Sequence, residues 1–141
     1  MHFNYKSVRR PNGGFVKCPM VPVTITGNSA MRIEFMALLD SGADLSVIPK
    51  DVAELLNLDI HKETSKSKGI GGDVNVINTN LLVNISKGHE SYNINLPVQI
   101  ILNNENIPVI LGRAGFFDEF DILFDQKNQR VSLKKIFPNK F

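Results

Sequence analysis

Asp40, Ser41 and Gly42 sit where an apolar run stops. The segment Ala37-Leu38-Leu39-Asp40-Ser41-Gly42-Ala43-Asp44-Leu45-Ser46-Val47-Ile48-Pro49 drives a strand straight into a carboxylate, and a Ser-Gly turn follows at once. A carboxylate so placed stands at the rim of a core, partly desolvated, where it can serve as a general acid or base. Gly42 allows a second backbone to come close. On residue type alone, the same three residues also suit an ordinary turn with an Asx-type hydrogen bond. Two further segments bear on the choice. Lys68-Gly69-Ile70-Gly71-Gly72-Asp73 frames one apolar residue with glycines ahead of Val74 and Val76, as a hairpin tip does. Val109-Ile110-Leu111-Gly112-Arg113 reads as a buried strand ending in Gly-Arg.

Other chemistries find little support. One cysteine and three scattered histidines, His2, His61 and His89, offer no metal-ligand spacing, and no Cys-His or Ser-His nucleophile pair can be argued. No metal and no cofactor is expected. Sixteen basic residues against 14 acidic ones give a net charge of +2, without a basic stripe, so nucleic acid is not an expected partner. The first 14 residues lack an apolar signal-peptide core, and no apolar run approaches the roughly 18 residues of a membrane span. The expectation is an intracellular, cytoplasmic protein with no membrane partner.

The elements that must position these residues are strands. Period-2 alternation runs through Met31–Phe35, Asn80–Ser86, Ser91–Val98, Phe120–Phe124 and Arg130–Lys134, the pattern of half-buried antiparallel strands. Turn signals separate them at Gly27-Asn28, Lys87-Gly88-His89, Asn103-Asn104 and Asp125–Asn128. Pro49 to Leu56 reads as one short helix with Val52, Leu55 and Leu56 on its apolar face, and Arg113 to Asp118 as a short helical turn after Gly112. Residues 1 to about 20 read as a loosely held arm, and 21–141 as a single domain.

In these three segments, taken in order, the sequence resembles the retropepsins, the retroviral-type aspartic proteases and their cellular and prokaryotic relatives. The resemblance covers about residues 20 to 125 and implies an all-β fold, a closed and mostly antiparallel acid-protease barrel. It implies an aspartic endopeptidase in which Asp40 is catalytic and each of two chains supplies one. Two carboxyls about 3 Å apart cannot both ionise, a coupling for which the aspartic-protease dyad is the standing example, so one acts as acid and the other as base. The partners implied are a second copy of the chain and an extended peptide or protein substrate.

The resemblance further assigns Ser41 to bracing the partner's equivalent loop, where Thr is more usual. Gly42 would contact substrate, and Ala43 stands where pepsin-like enzymes often carry Ser or Thr. Asp44 and Arg113 would form a pair orienting the active-site loop; on residue type they could equally be independent surface charges. Val47 and Ile110 would line substrate pockets while also suiting a core. Gly69, Ile70, Gly71 and Gly72 would form a flap over bound peptide. The chain departs from the viral enzymes in a tail after Gly112 that reads as an added hairpin, Asp121 to Lys135. The rival reading is a dimeric binding or scaffold module of the same fold without turnover.

Overall fold

The computed structural model describes residues 1–69, 72–103 and 106–138, so Ile70, Gly71 and Asn104 of the sequence reading lie outside the described residues. The alternating segments become strands: β1 (His2–Asn4), β2 (Lys6–Arg9), β3 (Phe15–Cys18), β4 (Met20–Thr26), β5 (Arg32–Leu39) and β6 (Ser46–Pro49). The helix α1 (Lys50–Leu55) comes next, then β7 (Ser65–Gly69), β8 (Gly72–Lys87), β9 (Glu90–Ile101), β10 (Val109–Leu111), β11 (Phe120–Asp125) and β12 (Arg130–Lys135).

Seven strands form one sheet in the order β4-β5-β10-β6-β9-β8-β7, and β8 also pairs with β4, which closes six of them into a ring. The pairings are antiparallel except β5–β10 and β6–β9, which are parallel. The long β8–β9 hairpin turns at Gly88-His89, with Lys87 opposite Glu90 and Gly88 at φ 60°, a left-handed value that glycine adopts without strain. Ile25, Ile48, Ile77, Ile85, Leu96 and Ile100 fill the ring as fully buried side chains.

The segment read as a loosely held arm begins with a paired strand. β1 pairs with β12, Phe3 and Tyr5 are 6% and 5% exposed within the core, and the Tyr5 N–H donates to the Gln129 carbonyl at 2.8 Å. The reason is visible in His2-Phe3-Asn4-Tyr5, which alternates at period 2 and supplies the strand that β12 lacks on one edge. The tail hairpin forms as expected, with β11 and β12 in register from Phe120↔Lys135 to Asp125↔Arg130. Its turn is held by Asp125, whose two carboxylate oxygens accept the Asn128 side-chain and backbone N–H groups; these bonds hold that carboxyl below the usual range. On β11 the alternation fades beyond Ile122, leaving Leu123 and Phe124 exposed.

The helix starts after Pro49 and lasts six residues, and Val52, Ala53 and Leu56 are its buried side. Leu55, expected on that side, is 57% exposed, because Ala53 takes the inward position and turns the face away from it. The turn after Gly112 is a short 3-10 stretch at Phe117–Glu119.

Candidate active site

The parallel pairing of β5 with β10 builds the site. Ala37, Leu38 and Leu39 lie opposite Val109, Ile110 and Leu111, and the Asp40 N–H then donates to the Leu111 carbonyl at 3.1 Å. The two loops that follow therefore leave the sheet side by side and interlock. The Arg113 and Ala114 N–H groups donate to the carbonyls of Ala43 and Asp44, each at 2.9 Å. The Gly112 N–H donates to Ser46 Oγ at 3.0 Å. A Cβ on Gly112 would lie 2.5 Å from the Leu45 carbonyl carbon and oxygen, so only glycine permits this approach.

Asp40 is half-buried, while Ser41 and Gly42 are exposed. The Gly42 N–H donates to Asp40 Oδ1 at 2.9 Å and the Ala43 N–H to the Asp40 carbonyl at 3.1 Å. The Asx turn and the placed carboxylate, alternatives on residue type, are thus one arrangement: the turn fixes one carboxylate oxygen, Oδ1. Alternation sends Ala37 and Leu39 into the core and Leu38 to the opposite face, which Asp40 continues. On that face a single row crosses the sheet by register: Met20, Leu38, Ile110, Val47, Gln99 and Asn78. Met20 through Gln99 are all half-buried.

At the Val47 end lies a cleft of about 410 Å³, bounded by Ala43, Asp44, Val47, Lys68, Val74 and Gln99 among others. Val47 lines it; Ile110 is its neighbour in the row and is not among the lining residues. The β7–β8 hairpin lines the cleft through Ser67, Lys68 and Val74. Gly69 pairs with Gly72 at its end, where Gly72 has φ 124°, a conformation side-chain-bearing residues resist. Ile70 and Gly71, assigned to the flap tip, lie outside the described residues.

Asp44 and Arg113 form the expected ion pair, Arg113 Nη2 donating to Asp44 Oδ1. The pair is a surface one within the chain, its side chains 85% and 56% exposed, so it stabilises the isolated fold by less than about 1 kcal/mol. Its expected effect is on the loop. Arg113→Ala should lower peptide cleavage or dimer affinity more than the exposed control Lys66→Ala, with little change in thermal stability; equal effects of the two would remove the pair from the site.

The sequence reading missed Ser46, which is 2% exposed, the one buried polar residue among the described residues, and anchors Gly112. The signal was present: a hydroxyl inside Leu45–Ile48 must find a partner when buried. Gln99, whose Nε2 donates to Asn78 Oδ1 at 3.3 Å, gave no such signal, because it is one polar residue in an alternating strand.

Residues 21–114 match the aspartyl protease family. Among curated proteins none matches in sequence. Among solved structures 148 chains match. One is the crystal structure of a retropepsin-like aspartic protease from Rickettsia conorii, 17% identical, with a TM-score of 0.58 over 93% of this chain and 97% of that one.

Proposed function

The chain belongs to the aspartyl protease family and has the retropepsin-like fold, and from that premise we propose that it is an aspartic endopeptidase, active as a homodimer with one Asp40 from each copy. The observation that carries the proposal is the state of the carboxylates beside the cleft. Asp40 is presented on a half-buried face with one oxygen engaged by the Gly42 N–H. Asp44, the one carboxylate among the described residues that line the cleft, is taken by Arg113. Acid–base hydrolysis of an amide uses a general acid as well as a general base, and the Asp40 of a second copy supplies the partner group.

The chemistry follows from two carboxyls sharing one proton. The ionised Asp40 removes a proton from a water held between the pair, and the water oxygen bonds to the peptide carbonyl carbon. The protonated Asp40 of the other copy gives its proton to the carbonyl oxygen. When the C–N bond breaks, the proton taken from water passes to the leaving amine, and a hydroxyl of the tetrahedral intermediate returns its proton to the other Asp40 as the carboxyl carbonyl forms. No covalent enzyme intermediate forms. The substrate lies extended, its main chain hydrogen-bonded in the manner of a strand and its alternate side chains in pockets. The β7–β8 hairpins, which border the cleft through Ser67, Lys68 and Val74, cover it.

The test is dilution. Hydrolysis of a fluorogenic peptide library is followed over protein concentrations that span the dimer–monomer transition seen by sedimentation. Specific activity should fall in step with the dimer fraction. Specific activity that stays constant into the monomer range would rule out a shared site, and a stable dimer that cleaves nothing would favour the binding-module reading.

A further inference from the structure

The family match begins at residue 21, and β2 and β3, which precede it, form a two-stranded sheet of their own. Four of the chain's 16 basic residues, Lys6, Arg9, Arg10 and Lys17, lie within residues 6–18, and none of its 14 acidic ones does. The hairpin is therefore +4 on a chain whose other residues sum to −2. None of the four cations makes an ion pair among the described residues. The hairpin is held at both ends. Across its tip the Arg10 N–H donates to the Gly14 carbonyl at 3.0 Å and the Gly13 N–H to the Arg10 carbonyl at 3.1 Å. Just past β3 the Pro19 carbonyl accepts the Leu39 N–H at 3.0 Å, one residue before Asp40. The register pairs Ser7 with Lys17, Val8 with Val16 and Arg9 with Phe15, which sorts the side chains onto two faces. Val8, Val16 and Cys18 share the half-buried one, while Ser7, Arg9, Phe15 and Lys17 share the other and are all exposed. Phe15, at 72%, is the most exposed large apolar side chain among the described residues. Arg9 and Lys17 are diagonal neighbours on that face, about 7–8 Å apart along the sheet, close enough for one carboxylate to lie between them.

We propose that the outer face of the β2–β3 hairpin is an exosite for an acidic, extended segment of a polypeptide, remote from the scissile bond; that the segment belongs to a substrate rests on the protease reading above. Charge selects an anionic partner, because its carboxylates meet unpaired cations and relieve their mutual repulsion. Form selects a polypeptide among anionic partners. Among the described residues no third strand joins β2 and β3. A main chain can therefore add to the pair while its alternate side chains fall on the face of Arg9, Phe15 and Lys17. An anionic bilayer or a nucleic acid would use the charges and Phe15 and leave the open edges idle. Because the hairpin is rooted beside the strand that carries Asp40, a segment held there keeps the rest of its chain near the site and raises the local concentration of the bond to be cut.

A peptide that wild type cleaves is extended at either end, through about ten Gly-Ser residues spanning roughly 16–19 Å, with a tail of alternating Glu and Leu or of alternating Gln and Leu. The Glu tail should raise kcat/KM over the Gln tail by about 10-fold or more, through KM, and the ratio should fall toward one as salt rises from about 50 to 500 mM. The joint substitution Arg9→Ser, Arg10→Ser and Lys17→Ser should abolish the ratio at low salt. The same loss of charge at Lys62, Lys127 and Lys134 should keep it. A second readout needs no turnover: Asp40→Asn protein should bind the labelled Glu-Leu tail alone about 10-fold or more tighter than the Gln-Leu tail in fluorescence anisotropy, and the hairpin substitutions should remove the difference. Equal kcat/KM for the two tails, or a ratio that the hairpin substitutions leave unchanged, overturns the exosite. Tighter binding to a thymidine oligonucleotide, or to phosphatidylglycerol–phosphatidylcholine vesicles, than to the Glu-Leu tail, lost in the same hairpin variant, also overturns it and gives the surface to that partner. Hairpin-dependent binding of the Glu-Leu tail by a protein whose wild type cleaves no peptide keeps the docking surface and overturns the protease reading alone.

Discussion

Asp40→Asn is expected to lower peptide cleavage by at least about 10³-fold, within the range that general acid–base catalysis contributes, while leaving the fold and the dimer in place. The substitution keeps the shape and the acceptor oxygen: an Asn Oδ1 still accepts the Gly42 N–H that now lies 2.9 Å from Asp40 Oδ1. The backbone bond from residue 40 to the Leu111 carbonyl does not involve the side chain at all. On the proposed mechanism, what disappears is the base that deprotonates water and the acid that protonates the carbonyl oxygen. Because that mechanism draws both roles from one position in two copies, mixing gives a sharper test than the variant alone. Equal amounts of wild type and Asp40→Asn, allowed to exchange subunits, leave roughly a quarter of the dimers with both carboxyls. Activity per wild-type chain should then fall to about half. A mixture that keeps the full activity of its wild-type half would mean that each chain works alone, and cleavage that survives in pure Asp40→Asn would remove Asp40 from the chemistry.

How much of this was legible in the sequence depends on the range of the interaction that fixes each part. Strand alternation is local, and it located the β8–β9 and β11–β12 hairpins with the faces that bury Leu81, Val83, Ile85, Val131 and Leu133. The Asp40 and Gly112 segments were visible because each joins an apolar run to a turn. The parallel pairing of β5 with β10, which brings those segments together, joins residues some seventy positions apart, and nothing in either segment states the register. The same limit hid Ser46, whose partner is the Gly112 N–H, and the row from Met20 to Asn78, which exists only after six strands have been aligned. β1 was missed for another reason. Four residues of alternation are too few to stand out beside a polar, glycine-containing stretch such as Arg9–Gly14, yet three paired residues suffice when β12 offers an open edge. Leu55 went the other way: helical periodicity counted it as core, and the short helix turns its buried side toward Ala53.

Gly112→Ala is the second large effect to expect, and it tests whether the interlocked loops are what hold Asp40. The new Cβ would meet the Leu45 carbonyl carbon and oxygen at 2.5 Å and the Ala43 carbonyl at 3.0 Å, all of them backbone, so no side-chain rotation relieves the contact. Overpacking of this kind costs about 1–3 kcal/mol. Displacing residue 112 also strains the bonds at Ser46 Oγ and at the Ala43 and Asp44 carbonyls, and Ala43 and Asp44 bound the cleft. A shift of about 1 Å in a catalytic loop can cost on the order of 100-fold in rate, so activity per folded molecule should fall by about that much. Gly27→Ala provides the control. Its Cβ would lie 2.1 Å from the Leu56 carbonyl oxygen, a comparable backbone clash, but at the end of α1 and away from Asp40. Both variants should melt at lower temperature than wild type. Measured well below their melting points, only Gly112→Ala should show the loss of rate, because only there does the strain pass into the loop that carries the carboxylate. Equal residual activity in the two variants would mean that the Gly112 contact stabilises the fold without positioning the site.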